Sequence, residues 1–184
     1  MFKELLKRLA AGLDREGIPY MIIGGQAVLF HGEPRFTKDI DITLGVDTAA
    51  LEKVRALISN LNLDILVTDI EDFVNKTMVL PSMDASSGIR IDFIFSYSPY
   101  ERQAIERAVG AAIDTVSIRM ASLEDVVIHK IVAGRPRDIE DVKTILLKNP
   151  GFDRAYILHW LRQFDESLKE SFSRRFEDIE KELN

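Results

Sequence analysis

The chain has 184 residues, 46% of them hydrophobic and 29% charged, which suits one ordinary domain with a small appendage and a sizeable core. It contains no cysteine, so disulfides, thiolate metal sites and cysteine nucleophiles are excluded, and a reducing cytoplasm is the expected setting. The net charge of −6 argues against broad binding to a polyanion, though not against a local cationic pocket for one nucleotide.

Phe2, Leu5, Leu6, Leu9 and Leu13 recur at helical spacing, so the N-terminus reads as an amphipathic helix ending near Gly17 rather than as a signal peptide. No stretch has the length needed to span a bilayer, and no membrane partner is expected. Tyr20-Met21-Ile22-Ile23, between Pro19 and Gly24-Gly25, reads as a buried strand, and Gln26 to His31 as a short helix closed by Gly32 and Pro34. Asp39 to Leu44 alternates charged and apolar residues, which makes a strand with both aspartates on one face. Thr48 is expected to cap a helix from Ala49 to about Asn60. Leu63 to Val67 and Met78 to Leu80 read as strands, residues 81–88 as a turn-rich loop, and Ile89 to Phe95 as a further strand. A helix over Tyr100 to Val109 and a last strand over Val116 to Arg119 follow. Ser122 caps a helix to Ala133, Gly134 and Pro136 break it, and another runs from about Arg137 to Lys148. Pro150-Gly151 marks a boundary. Beyond it Ile157, Leu161, Phe164, Leu168, Phe172 and Phe176 lie among charged residues in an amphipathic helical segment, docked on the body or on a partner.

The chemistry gathers on three acidic residues. Same-face alternation makes Asp39 and Asp41 neighbours, and like charges held close call for a cation. A hard divalent ion with oxygen ligands fits them. Asp92 sits in the otherwise apolar run Ile91-Asp92-Phe93, where a carboxylate is costly unless paired or coordinated. Gly24-Gly25 stands where a strand turns into a helix, allowing backbone to approach a phosphate or simply making a tight turn. Arg35 and Lys38 flank the acidic strand, where they either compensate its charge or contact a triphosphate. Lys130 lies mid-helix among Val126, Val127, Ile131 and Val132, and either snorkels to water or points into a cleft. Arg135, Arg137, Asp138 and Asp141 suggest a structural ion-pair network locking the two late helices. His31 reads as a packed helix-end residue rather than a base or ligand, and His129 and His159 show no metal-ligand spacing.

Ile23-Gly24-Gly25-Gln26-Ala27, His31-Gly32, Arg35, Thr37 and Asp39-Ile40-Asp41 resemble the opening motif of the polymerase-beta-like nucleotidyltransferases. The likeness is to their small prokaryotic branch, which includes toxin–antitoxin and abortive-infection proteins. Arg90-Ile91-Asp92-Phe93-Ile94 is similar to the third acidic strand of that superfamily, and residues 130–141 resemble a later helix-loop-helix motif of the branch. The resemblance implies an α/β (α+β) nucleotidyltransferase fold: a small mixed sheet flanked by helices, with a C-terminal helical extension. Residues 1–149 form the expected nucleotidyltransferase domain (core 18–120, late helical motif 121–149), and 150–184 the extension. The implied reaction moves a nucleoside monophosphate from a nucleoside triphosphate to an acceptor hydroxyl on RNA such as tRNA, on a protein or on a small molecule. Asp39, Asp41 and Asp92 are the expected catalytic residues and the ligands of Mg²⁺ or Mn²⁺. Gly24, Gly25, Arg35, Lys38 and Lys130 are the candidate nucleotide contacts. Many active members carry Gly-Ser where this chain has Gly24-Gly25, which keeps a backbone N–H but loses a hydroxyl. The competing class is an antitoxin-like module that binds a toxin partner through its C-terminal helices; the three intact aspartates favour catalysis.

Overall fold

Leu5, Leu6, Leu9 and Leu13 line the buried side of the first helix, α1 (Phe2–Arg15), which ends as Gly17 takes φ +61°. The computed structural model describes residues 2–33, 37–96 and 98–183. The chain divides into two compact units, residues 1–26 with 36–121 and residues 27–35 with 122–184.

The first unit holds a seven-stranded sheet. Its strands are β1 (Tyr20–Ile23), β2 (Asp39–Leu44), β3 (Asp64–Ile65), β4 (Val79–Asp84), β5 (Ile89–Phe95), β6 (Val109–Ile113) and β7 (Val116–Met120), in spatial order β3-β4-β5-β2-β1-β7-β6. β2 pairs parallel with β5 and β1 parallel with β7; the other four pairings are antiparallel. The helices of this unit are α1, α3 (Leu51–Asn60), α4 (Ile70–Thr77) and α5 (Pro99–Glu106), while α2 (Gly24–His31) begins in it. One face of the sheet presents Tyr20, Ile22, Ile40, Ile42, Leu44, Ile91, Phe93 and Phe95, all within one core cluster with α1 and with Val54, Leu57 and Ile58 of α3. Full burial of each such side chain is worth roughly 1.5–3 kcal/mol. Slipping β2 by one residue would turn Asp39 and Asp41 into that core and Ile40 and Ile42 out of it, so the register of the acidic strand is firmly set.

Several boundaries differ from the sequence expectation. Asp47, not Thr48, supplies the cap: its carboxylate accepts from the Ala49 N–H at 3.0 Å and starts a short 3-10 turn (Thr48–Ala50) before α3. The expected strand over residues 63–67 shrinks to β3, and the eight-residue α4 follows, ended by Met78 at φ +64° with no glycine to announce it. β4 continues through Pro81 to Asp84, so only residues 85–88 remain of the expected loop. Proline is tolerated because its carbonyl accepts from Leu66 N–H on the side away from β5, where its missing N–H is not needed. The helix expected to reach Val109 stops at Glu106, and β6 takes up the small residues that follow.

The second unit is helical, built from α6 (Leu123–Ala133), α7 (Pro136–Lys148), α8 (Arg154–Leu168) and α9 (Phe172–Leu183), with the later part of α2. Ser122 caps α6 by accepting from Asp125 N–H, and Gly134 ends it at φ +64°. α8 and α9 pack on α6 and on each other, α9 also on α7, and Ile131, Val142, Ile145, Ile157, Leu161 and Phe176 are fully buried. Leu168, expected on the apolar stripe, is exposed. Among the described residues no helix is long and apolar enough to cross a membrane.

Candidate active site

The alternation of β2 sends Ile40 and Ile42 into the core and leaves Asp39 and Asp41 on the opposite face. β5 does the same with Arg90 and Asp92. Because these strands run parallel in register, Asp41 faces Asp92 and Asp39 faces Arg90, so the three aspartates occupy adjoining positions on one face of the sheet. β1 brings Ile23 opposite Asp41, and the chain turns there into α2. Gly24, at the first residue of α2, has φ +63°, and a Cβ placed on it would lie 2.0 Å from Asp41 Oδ2. Asp41 therefore sits directly against the head of α2, where backbone N–H groups lack intrahelical partners and the helix dipole favours negative charge. Only glycine fits this position, for both its conformation and its space. Gly25 follows it, buried in the first turn.

Two further residues shape the site beyond the candidates singled out from the sequence. Gln26 Nε2 donates to Thr37 Oγ1, tying the first turn of α2 to the residues leading into β2. Arg90 Nε donates to Asp92 Oδ1 at 2.9 Å. That hydrogen bond, with the charges of Asp92, Asp39 and Asp41 behind it, raises the Arg90 pKa above its ordinary value against the opposing effect of partial desolvation. The sequence signal for Arg90 was its place two residues before Asp92, on the same face of an alternating strand.

The donor set suits a hard divalent cation: three carboxylates at adjoining register positions, with an arginine standing as the cation beside them. As placed, no group of three or more His, Cys, Asp or Glu among the described residues could hold a metal ion. Magnesium keeps several waters and takes one or two carboxylates plus substrate phosphates, so an open carboxylate face is compatible with it.

The other candidates fall elsewhere. Arg35 lies outside the described residues. Lys38 is exposed, immediately before β2. Lys130, on α6, is buried, and its Nζ lies 2.7 Å from Asp138 and 3.0 Å from Asp141 of α7. Arg135 Nε donates to the second oxygen of Asp138 at 2.6 Å. Burial opposes the charge of Asp138, yet the hydrogen bonds from Arg135 and Lys130 outweigh it and hold the carboxyl below its ordinary range. The ammonium of Lys130 is thus bound within the second unit, joining α6 to α7.

Residues 1–181 match the family described as "Nucleotidyltransferase of unknown function (DUF6036)". The chain belongs to that family. No curated protein matches this nucleotidyltransferase significantly in sequence. Its fold is shared with solved structures. The solution structure of the antibiotic-resistance factor ANT(2'')-Ia is 15% identical, with 98% of this chain and 95% of that one covered and a TM-score of 0.58. The crystal structure of ANT(2'')-Ia in complex with adenylyl-2''-tobramycin is 16% identical over 95% and 98% of the two chains, with a TM-score of 0.58. An antigenic nucleotidyltransferase-like protein from Paracoccidioides brasiliensis is 18% identical over 94% and 91%, with a TM-score of 0.56.

Proposed function

We propose that this chain transfers a nucleoside monophosphate from a nucleoside triphosphate to an acceptor hydroxyl, using Asp39, Asp41 and Asp92 with Mg²⁺. The observation that carries the reading is the pairing of Asp41 with Asp92 across β2 and β5, with Asp41 against the Gly24 turn. In the reaction the acceptor oxygen forms a bond to the α-phosphorus, the bond from that phosphorus to the β-bridging oxygen breaks, and pyrophosphate leaves. Gly24 and Gly25 orient the phosphates through backbone N–H groups at the head of α2. Asp39 and Asp41 would hold the cation that carries the triphosphate, and Asp92 would complete the acidic site and take the proton of the attacking hydroxyl. A bound divalent ion supplies charge neutralisation at the attacking and leaving oxygens. Gly25, where many active members have serine, leaves this work to the backbone alone.

The net charge of −6 favours a small molecule or a protein over RNA as the acceptor. ANT(2'')-Ia, the fold neighbour captured in complex with adenylyl-2''-tobramycin, is consistent with a small-molecule acceptor. The test is incubation of the purified protein with labelled ATP, CTP, GTP or UTP, magnesium and a cell lysate, followed by separation into RNA, protein and small molecules. Label should enter one fraction covalently. Asp92→Asn should lower that incorporation by about a hundredfold or more, since several kcal/mol of transition-state stabilisation is at stake. Equal incorporation by wild type and variant would overturn the reading.

A further inference from the structure

Arg90 is half-exposed at 52%, while the Asp92 carboxylate it binds is only 18% exposed. The guanidinium therefore lies over the outer side of the acidic face, beside Asp39 in the strand register and in contact with Asp92. A cation that takes Asp92 Oδ1 as a ligand meets an oxygen already engaged, so binding through that oxygen includes displacement of the arginine. The displaced guanidinium then remains on the face where the reading above puts the triphosphate. Its planar fork of donors matches phosphate oxygens.

We infer that Arg90 is a positioning residue that couples cation binding to polyphosphate binding: it holds Asp92 in the cation-free site and passes to the polyphosphate when a cation takes its place. The inference rests on the metal-dependent reading proposed above. Its consequence is reciprocal linkage, with cation and polyphosphate each strengthening the binding of the other. The cation alone has to compete with Arg90. The cation–polyphosphate complex supplies both the replacement for Arg90 and its new partner.

The experiment measures binding, not turnover. Mn²⁺ alone, and then Mn²⁺ with a non-hydrolysable ATP analogue, are titrated into the full chain carrying wild-type sequence, Arg90→Met, Lys53→Met or Asp92→Asn. Arg90→Met keeps an unbranched apolar stem at an exposed position, and circular dichroism verifies its fold. It should bind Mn²⁺ alone about twofold to fivefold more tightly, the scale expected for removing a partly exposed ionic competitor. It should bind the Mn²⁺–nucleotide complex more weakly than wild type does. A residue that only braces the strand would weaken both. Lys53→Met removes an exposed cation of α3 that makes no Asp92 contact, so it should leave Mn²⁺ binding near wild type; an equal gain there would overturn the inference in favour of bulk charge. If Asp92→Asn loses the Mn²⁺ site but Arg90→Met leaves Mn²⁺ affinity unchanged, the role of Arg90 fails and the metal reading stands. If Mn²⁺ binding in none of the proteins depends on Asp92, both fail.

Discussion

Gly24 shows how strictly one residue can be chosen. Its φ of +63° alone would make alanine strained, by about 1 kcal/mol in a non-glycine side chain. Space decides more: the missing Cβ would stand 2.0 Å from Asp41 Oδ2, closer than any contact allows, so either the carboxylate or the turn must move. Gly24→Ala is therefore expected to leave a folded protein whose thermal midpoint drops by a few degrees and whose cation and nucleotide binding is lost. Calorimetric titration beside a melting curve checks it. Wild-type binding by the variant would remove Asp41 from the site as drawn. The placement of Asp39 and Asp41 on one face and of Gly24 at the strand-to-helix turn was legible in the sequence, because alternation and a glycine pair at a strand end are local signals. That Asp92 adjoins Asp41 was not local: it depends on β2 and β5 pairing in parallel across residues 45–88, which no spacing states. The contact of Arg90 with Asp92 is local by contrast: the two lie two residues apart on one face of β5, and the alternation of that strand carries the signal.

At the scale of elements, the segments with strong periodicity or clear caps were readable, as α1, α6 and α7 show. α4 was missed because it is short and ends at Met78 without a glycine or proline, β6 because its small residues carry little strand signal, and Pro81 argued against a strand that the sheet in fact accommodates. The turn joining β4 to β5 carries its own acid-sensitive staple. Hydrogen bonds from Ser86 and Ser87, and then Arg8, outweigh burial and lower the Asp84 carboxyl from 3.8 to about 2. A depressed carboxyl contributes stability above its unfolded pKa and loses it as the pH falls through the folded one, here between about pH 4 and pH 2. The contribution is about 2 kcal/mol at neutral pH, by linkage. Asp84→Asn should lower the urea midpoint at pH 7 and flatten its decline below pH 4; parallel pH profiles for variant and wild type would refute the assignment. Lys130 joins α6 to α7 by a different logic. Lys130→Met leaves Asp138 and Asp141 facing each other without the buried ammonium between them, a change that typically costs about 3–5 kcal/mol. Equilibrium unfolding at neutral pH decides it, and a variant as stable as wild type would mean that Arg135 alone satisfies the pair.

For the molecule as a whole, the acidic face, the Gly24 turn and the sheet core all belong to the first unit, whose hydrophobic cluster draws on no residue beyond Met120 among its buried members. The helices after Pro150 belong to the second, and they are integral to it. Ile157, Leu158, Trp160, Leu161, Phe172, Phe176 and Ile179 are buried there, and α8 and α9 cover α6. Removing residues 151–184 withdraws all seven side chains. At roughly 1.5–3 kcal/mol each, their burial is on the scale of the ~5–15 kcal/mol by which a typical domain is stable. The truncated chain is thus expected to lose the cooperative fold of the second unit, with lower helicity than the remaining α6 and α7 would give and with binding of a hydrophobic dye. This bears on the competing idea that the C-terminal helices serve as an interface for a partner protein. Loss of cellular activity on truncation would be shared by that idea and by simple unfolding, so the substitution Asp92→Asn separates them better, because it leaves every buried apolar contact in place. A truncated chain that melts cooperatively at the wild-type temperature would show instead that residues 151–184 are a separable extension.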